Sequence, residues 1–313
     1  MKEKYIGGLM GFAIGDAMGV PVEFKPRSEL LDNPVTKMIG NGTYDVPEGT
    51  WSDDTSMLIA TIDSINAKCD FDVKDIADKF LLWKNHADYT ANKEVFDIGN
   101  TTKSALEEYE KNREEDPTKF GLTSEYSNGN GSLMRIIPLA YYAVEKKLKD
   151  FEVLELVKRL SSITHAHEIS IMGCYIYVRL VMFLLNGKDK YSAYSMTKCV
   201  DYTMFSEETQ QVYSRLIKED ISKLVVNDIK STGYIVDSLE AAIWVMLKSE
   251  SFTEAIIGAV NLGDDTDTIG ALTGALAGII YGYDAIPENW LEKIARKDYL
   301  LDIFEEFSEN KYK

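Results

Sequence analysis

The segment "NLGDDTDTIG", residues 261–270, places Asp264, Asp265 and Asp267 within four positions and runs straight into an apolar, glycine-studded stretch, "IGALTGALAGIIYG". A helix cap needs only one such carboxylate, and three this close repel one another. A cation would relieve the repulsion. A second cluster, "GTWSDDTSM", offers Ser52 as an N-cap with Asp53 and Asp54 in the first turn, where acids complement the helix dipole. Capping and metal ligation account for this second cluster about equally well. Two helix starts that supply hard oxygen donors and no thiolates favour Mg²⁺ or Mn²⁺ over zinc, and four or five converging carboxylates call for two ions. A calcium loop of the EF-hand kind is excluded: with Asp265 as its first position, the fifth and twelfth are Ile269 and Leu276.

A third stretch, "SNGNGSLMRIIP", fails as a dinucleotide fingerprint, because Met134 stands where the last glycine is needed and no strand precedes it. Its chemistry still suits an anion: Gly129 and Gly131 let backbone N–H groups approach, Ser132 can cap a helix, and Arg135 can pair with charge. A capped helix start after a flexible loop explains the same residues. "SSITHAHEIS" holds two of the three histidines; His165, after Thr164, is the better candidate for orienting a substrate hydroxyl, and His167 reads as an ordinary satisfied polar residue. In "VFDIGNTT", Asp97 precedes a Gly99–Asn100 turn and reads as another entry into a helix. Nucleophile elbows, phosphate-binding P-loops and paired Cys–His contexts are absent from the sequence, which leaves metal-assisted hydrolysis.

The elements that must carry these residues are helices. Segments such as "DTSMLIATIDSINAK", "SIMGCYIYVRLVMFLLNG" and "VDSLEAAIWVMLKS" have helical periodicity, alternating β-branched runs are nearly absent, and the polar loops at 32–52, 114–132 and 184–191 are not interdomain linkers. The expectation is one all-α domain over residues 1–313. Gly7, Gly11, Gly15 and Gly19 near the start, and Gly270, Gly274, Gly278 and Gly282 near the end, recur every four residues, so each set forms a side-chain-free ridge on one helical face. Such ridges predict that the two helices lie together and deliver Glu23 and Asp265 to one site.

Composition sets the boundaries. The 313 residues carry 34 basic and 51 acidic side chains, a net charge of −17, which opposes extended contact with nucleic acid or anionic membranes. An anionic ligand therefore needs local help from metals, arginine or backbone amides. Cys69, Cys174 and Cys199 suggest neither a disulfide framework nor a thiolate zinc site, and a cytoplasmic setting is expected. Asp16 spoils a signal-peptide reading of the N-terminus, and the apolar run Ile269–Tyr283 falls short of the ~20 residues of a membrane span, so a soluble protein is expected.

The ordered set "GFAIGDAMGVPVEF", "WSDDTSM", "FDIGNTT", "NGNGSLMRIIPLA", "THAH", "GYIVDSLEAAIW" and "GDDTDTIGALTGALAG" resembles the ADP-ribosylglycohydrolase family from about residue 5 to 285. "FDIGNTT" is most similar to the branch containing dinitrogenase reductase-activating glycohydrolase. The resemblance implies an all-α fold with two Mg²⁺ or Mn²⁺ ions in a cleft, ligated by Ser52, Asp53, Asp54, Asp265, Asp267 and Thr268. It implies Glu23 as ligand or general base, Asp97 and Asp265 as assisting acids, and Asn128, Gly129, Asn130, Gly131 and Ser132 as a diphosphate cradle aided by Arg135. His165 would lie near the distal ribose, and Gly233 and Tyr234 at the adenosine end. The implied reaction is hydrolysis of the N-glycosidic bond between ADP-ribose and an acceptor, arginine, in an ADP-ribosylated protein or small conjugate, by a monomer. Alternatives are an O-linked serine bond, a small ADP-ribosyl metabolite, or a non-catalytic ADP-ribose binder; a terpene-synthase type of diphosphate chemistry is disfavoured because "DDTSM" lacks the third acid. Two positions depart from the family: Ser52 stands where threonine is usual, and Asp264 where a small or neutral residue is usual.

Overall fold

The periodic apolar positions of the sequence fall on sixteen α-helices, joined by short 3₁₀ turns, in the computed structural model, which describes residues 2–309. Among the described residues no strand forms, and backbone pairing of β type is confined to three isolated bridges. One cluster of buried side chains runs from Tyr5 to Phe307 and draws on helices from both ends of the chain.

At its centre, the helices Lys2–Gly19 and Thr266–Tyr281 lie antiparallel with their backbones in contact. A β-carbon added to Gly15 would come within 1.9 Å of the Gly270 carbonyl oxygen, and one added to Gly274 within 2.0 Å of that of Gly11. Only glycine permits this approach. The two ridges pair as expected of helices that lie together: Gly7 meets Gly278, Gly11 meets Gly274 and Gly15 meets Gly270, while Gly19 abuts the backbone of Thr266 and Asp267. Gly282 is the C-cap of its helix, at φ +85°; its carbonyl carbon lies 2.9 Å from where a β-carbon on Gly7 would stand, whereas a β-carbon on Gly282 itself would meet nothing within 4 Å.

Two helical stretches, Lys2–Val22 and Glu168–Leu185, are long and apolar enough to cross a membrane. The first was hidden in the sequence by its glycines and Asp16. Both are buried inside the protein, wholly in the first case and over 83% of the apolar window in the second.

Candidate active site

The glycine seam decides where the carboxylates go. Gly19 closes the first helix, the 3₁₀ turn Val20–Val22 contains Pro21, and Glu23 follows as its C-cap. Thr266 Oγ1 donates to the Gly19 carbonyl at 2.8 Å, fastening the start of the last long helix to the end of the first. The third contributor is the helix Asp53–Lys68, whose N-cap Ser52 accepts the Asp54 N–H at 3.2 Å. Asp16 holds this helix in place from within the first one. Fully buried, it accepts the Ser52 N–H at 2.9 Å, the Thr55 N–H at 3.0 Å and the Thr55 hydroxyl at 2.5 Å. Thr268 Oγ1 reaches Asp54 Oδ1 at 3.5 Å, linking the two acidic helix starts directly.

These elements enclose a cleft of about 390 Å³. Glu23, Asp53, Asp54, Asp97 and Asp265 line it, no lysine or arginine among the described residues does, and Asp267 lies just behind. Carboxylate oxygens of Glu23, Asp97 and Asp267 lie within 4.8 Å of one another. Burial first, then the charges of Asp97 and Asp265, push the Glu23 carboxyl up to about 9. Burial together with neighbouring acids raises Asp53, Asp54 and Asp267 well above the usual range, and burial raises Asp97 and Asp265. Glu23 Oε2, Asp54 Oδ2, Asp265 Oδ1 and Asp267 Oδ2 are buried without a hydrogen-bond partner. Lone orphan oxygens are costly, and four of them on acids in and behind one cleft fit a cation site built from hard oxygen donors.

The glycine loop borders the same cleft. Asn130 donates from Nδ2 to Asp265 Oδ2 at 2.9 Å and to Ser238 Oγ at 2.9 Å, and its N–H donates to the Gly233 carbonyl at 3.0 Å. Gly129, Asn130, Gly131, His165 and Gly233 all face the cleft. Four of the residues named from the sequence, Asn128, Ser132, Arg135 and Tyr234, stand outside the cleft lining. The segment Asn130–Arg135 is a 3₁₀ helix, whose tighter winding turns successive side chains differently from an open loop. Arg135 consequently points away from any anion: it is fully buried, lies over the Phe80 ring at 4.7 Å, and donates to the Gly131 carbonyl at 2.8 Å and to Thr164 Oγ1 at 2.8 Å. Ser132 bonds to Ser161 and Cys174, and Asn128 to Glu125, His167 and Ser170, so both brace the loop from behind. Tyr234 pairs through its backbone with Gly129 but does not line the cleft. His167 caps the helix Glu168–Leu185, its Nδ1 accepting the Ile169 N–H, as its ordinary reading required.

His165 is set by a relay. Arg135 donates to Thr164 Oγ1, and that hydroxyl lies 2.7 Å from His165 Nδ1. Because arginine can only donate, the hydroxyl proton is free to go to Nδ1, which leaves the ring proton on Nε2, the atom nearest Gly129. Burial, then the Arg135 charge, hold the imidazole down to about 3, so it is a neutral donor.

Asp264 now has a place. At φ +59° it occupies the left-handed region, tolerated best by Gly, Asn and Asp, directly after Gly263 at φ +79°. Its carbonyl accepts the Phe24 N–H at 2.7 Å and its N–H donates to the Lys25 carbonyl at 2.8 Å. This exchange ties the segment after Glu23 to the segment before Asp265. Its side chain is exposed. Sequence reasoning missed Asp16, Phe24, Thr102 and Tyr44; the last influences both Glu23 and Asp97 and packs on Phe96 with ring centroids 4.9 Å apart.

Fold and site define a class: an all-helical protein whose two acidic helix starts converge on a carboxylate-lined cleft. A family model described as ADP-ribosylglycohydrolase matches residues 1–313, and the chain belongs to that family of hydrolytic enzymes. It is 32% identical over 307 residues to the ADP-ribosylarginine hydrolase Tri1 of Serratia proteamaculans, covering 97% of this chain and 78% of that one. It is 31% identical over 300 residues to the ADP-ribosyl-[dinitrogen reductase] glycohydrolase of Rhodospirillum rubrum, covering 95% and 92%. A solved structure described as an ADP-ribosylglycohydrolase-related protein complex matches with a TM-score of 0.83 at 28% identity, covering 99% of this chain and 98% of that one.

Proposed function

We propose that this protein is a Mg²⁺- or Mn²⁺-dependent hydrolase that cleaves the N-glycosidic bond between ADP-ribose and an arginine side chain, on an ADP-ribosylated protein or a smaller conjugate. One observation carries the reading: the four orphan carboxylate oxygens beside a glycine loop in one cleft. The similarity to a protein named ADP-ribosylarginine hydrolase along 97% of the chain supports arginine as the acceptor.

Cleavage at an anomeric carbon develops positive charge on the sugar, which Asp97 and Asp265, both in the cleft lining, would stabilise. Glu23 lines the cleft beside Asp97 and Asp265, and once the bound cations displace its proton its carboxylate would take the proton of the attacking water. The N–H groups of Gly129 and Gly131 and the Nε2–H of His165 would supply the neutral donors that a diphosphate needs in a chain of net charge −17. Two ions held by Ser52, Asp53, Asp54, Asp265, Asp267 and Thr268 would neutralise the acids and polarise the oxygens bound to them.

The test is release of ADP-ribose from arginine-linked and serine-linked conjugates, with Mg²⁺, with Mn²⁺ and with chelator. Metal-dependent release from the arginine conjugate is expected. Release from the serine conjugate alone would move the acceptor assignment, and ADP-ribose binding without release from either would make the protein a binder.

A further inference from the structure

Phe24 defies the usual preferences of its residue type. Its side chain is 66% exposed although phenylalanine is normally buried. Its φ is +63°, a left-handed conformation that strains a bulky residue by about 1–2 kcal/mol. Its N–H donates to the Asp264 carbonyl at 2.7 Å, and the next residue, Lys25, accepts the Asp264 N–H at 2.8 Å, which together hold it there. Its ring lines the cleft, directly after Glu23 in the chain. A strained aromatic residue kept in solvent beside the acids has no packing role to explain it.

The face of an aromatic ring carries negative potential, so it attracts a cation and disfavours a phosphate. Glu23 and Asp97, the lining acids outside the proposed ion ligands, and the absence of lysine and arginine among the described lining residues point the same way. Within the cleft, the neutral donors are gathered at the glycine loop, which suits the anionic nucleotide end of the substrate. The acid-lined part beside Phe24 suits the opposite, cationic end.

Resting on the arginine reading above, we propose that Phe24 is a specificity-determining residue: its ring is the platform for the planar, cationic guanidinium of the acceptor. Selectivity for an arginine-linked over a serine-linked conjugate then depends on it, because a serine acceptor brings neither a plane nor a charge.

The test uses F24N and F24Y in the full chain. Asparagine adopts the left-handed region readily, so F24N removes the ring while relieving the backbone, and F24Y keeps the ring. kcat and KM are measured on an ADP-ribosylarginine conjugate, with the inhibition constant of free ADP-ribose and the melting temperature. F24N is expected to raise KM about fivefold, leave ADP-ribose inhibition within about twofold, and melt no lower than the wild type, while F24Y restores KM. An unchanged KM in F24N overturns the platform, and so does an equal loss of ADP-ribose affinity, which would assign the ring to the adenine. A wild type inert on arginine conjugates overturns the proposed function and this inference with it; an active wild type indifferent to F24N overturns this inference alone.

Discussion

The α-carbon of Gly19 lies against the backbone of Asp267, so that a methyl group on Gly19 would stand 2.3 Å from the Asp267 amide nitrogen and 2.3 Å from the Thr266 carbonyl oxygen. The closing residue of one central helix therefore sets the position of an acid on the other. G19A must push the two apart, with an expected loss of about 1–3 kcal/mol in denaturant unfolding and a fall in Mn²⁺ affinity measured by calorimetry. Gly258 is the control. A β-carbon there meets only Val245 Cγ1, at 3.4 Å, so G258A should be neutral or stabilising by up to about 1 kcal/mol. Equal effects of the two substitutions would show that the seam does not position the site.

The neighbouring acids of residues 264–267 should separate cleanly under mutation. Asp264 serves through its left-handed backbone, so D264N is expected to stay within about 0.5 kcal/mol of wild type with near-normal turnover, whereas D264V costs about 1–2 kcal/mol of stability. D265N, by contrast, removes the negative charge and turns one oxygen into an NH2 group on a side chain whose Oδ1 is an orphan and whose Oδ2 accepts from Asn130. Its turnover should fall at least about 100-fold, with weakened metal binding. Normal turnover in D265N would sink the metal assignment.

The acid cluster makes the metal-free protein sensitive to rising pH. The folded Glu23 carboxyl, near 9, stands above its unfolded value of about 4.3. The folded state therefore holds a proton that the unfolded chain releases. Stability from this protonated state is complete below about pH 4.3 and is lost as pH rises through about 9. Chelator-treated protein should unfold at lower denaturant at pH 9 than at pH 6, and the stabilisation on adding Mn²⁺ should be larger at pH 9. A metal-free protein equally stable at both would refute the buried-acid picture.

T164V keeps the shape of the side chain but breaks the relay from Arg135 to His165. ADP-ribose affinity should drop about five- to tenfold, the range of one lost buried hydrogen bond, with Mn²⁺ affinity unchanged. Since His165 is neutral throughout, wild-type ADP-ribose binding should show no histidine transition between about pH 5.5 and 8. Titration of ligand at several pH values checks both points, and a clear step near pH 6.5 would contradict the assigned tautomer.

Crowding and spacing made part of the site legible. Asp53 and Asp54, Asp265 and Asp267, and the glycine ridges announce themselves because both signals are local: charges too dense for a cap, and a four-residue period that only close helix packing explains. The remainder depends on partners far away in the chain. Asp16 is one acid in an apolar helix, and its meaning comes from the Ser52 and Thr55 amides it receives. Arg135 looked like an anion ligand until the 3₁₀ winding turned it toward Phe80. Phe24 carries no signal at all, since its exposure follows from a backbone exchange with Asp264, about 240 residues later.

The seam between the helices Lys2–Gly19 and Thr266–Tyr281 also governs how the protein must assemble. Its contacts join residues about 250 positions apart, a separation that slows folding because the chain entropy of so large a loop is lost before the contact forms. During synthesis the first helix, almost wholly buried in the finished protein, meets the helix Asp53–Lys68 early through Asp16 but lacks its main partner, the helix Thr266–Tyr281, until nearly all of the chain has been made. Until then its apolar surface is exposed to aggregation or to chaperones. The centre that gathers Glu23, Asp54 and Asp267 thus comes into being only as the last long helix docks, and truncated nascent chains carry none of it.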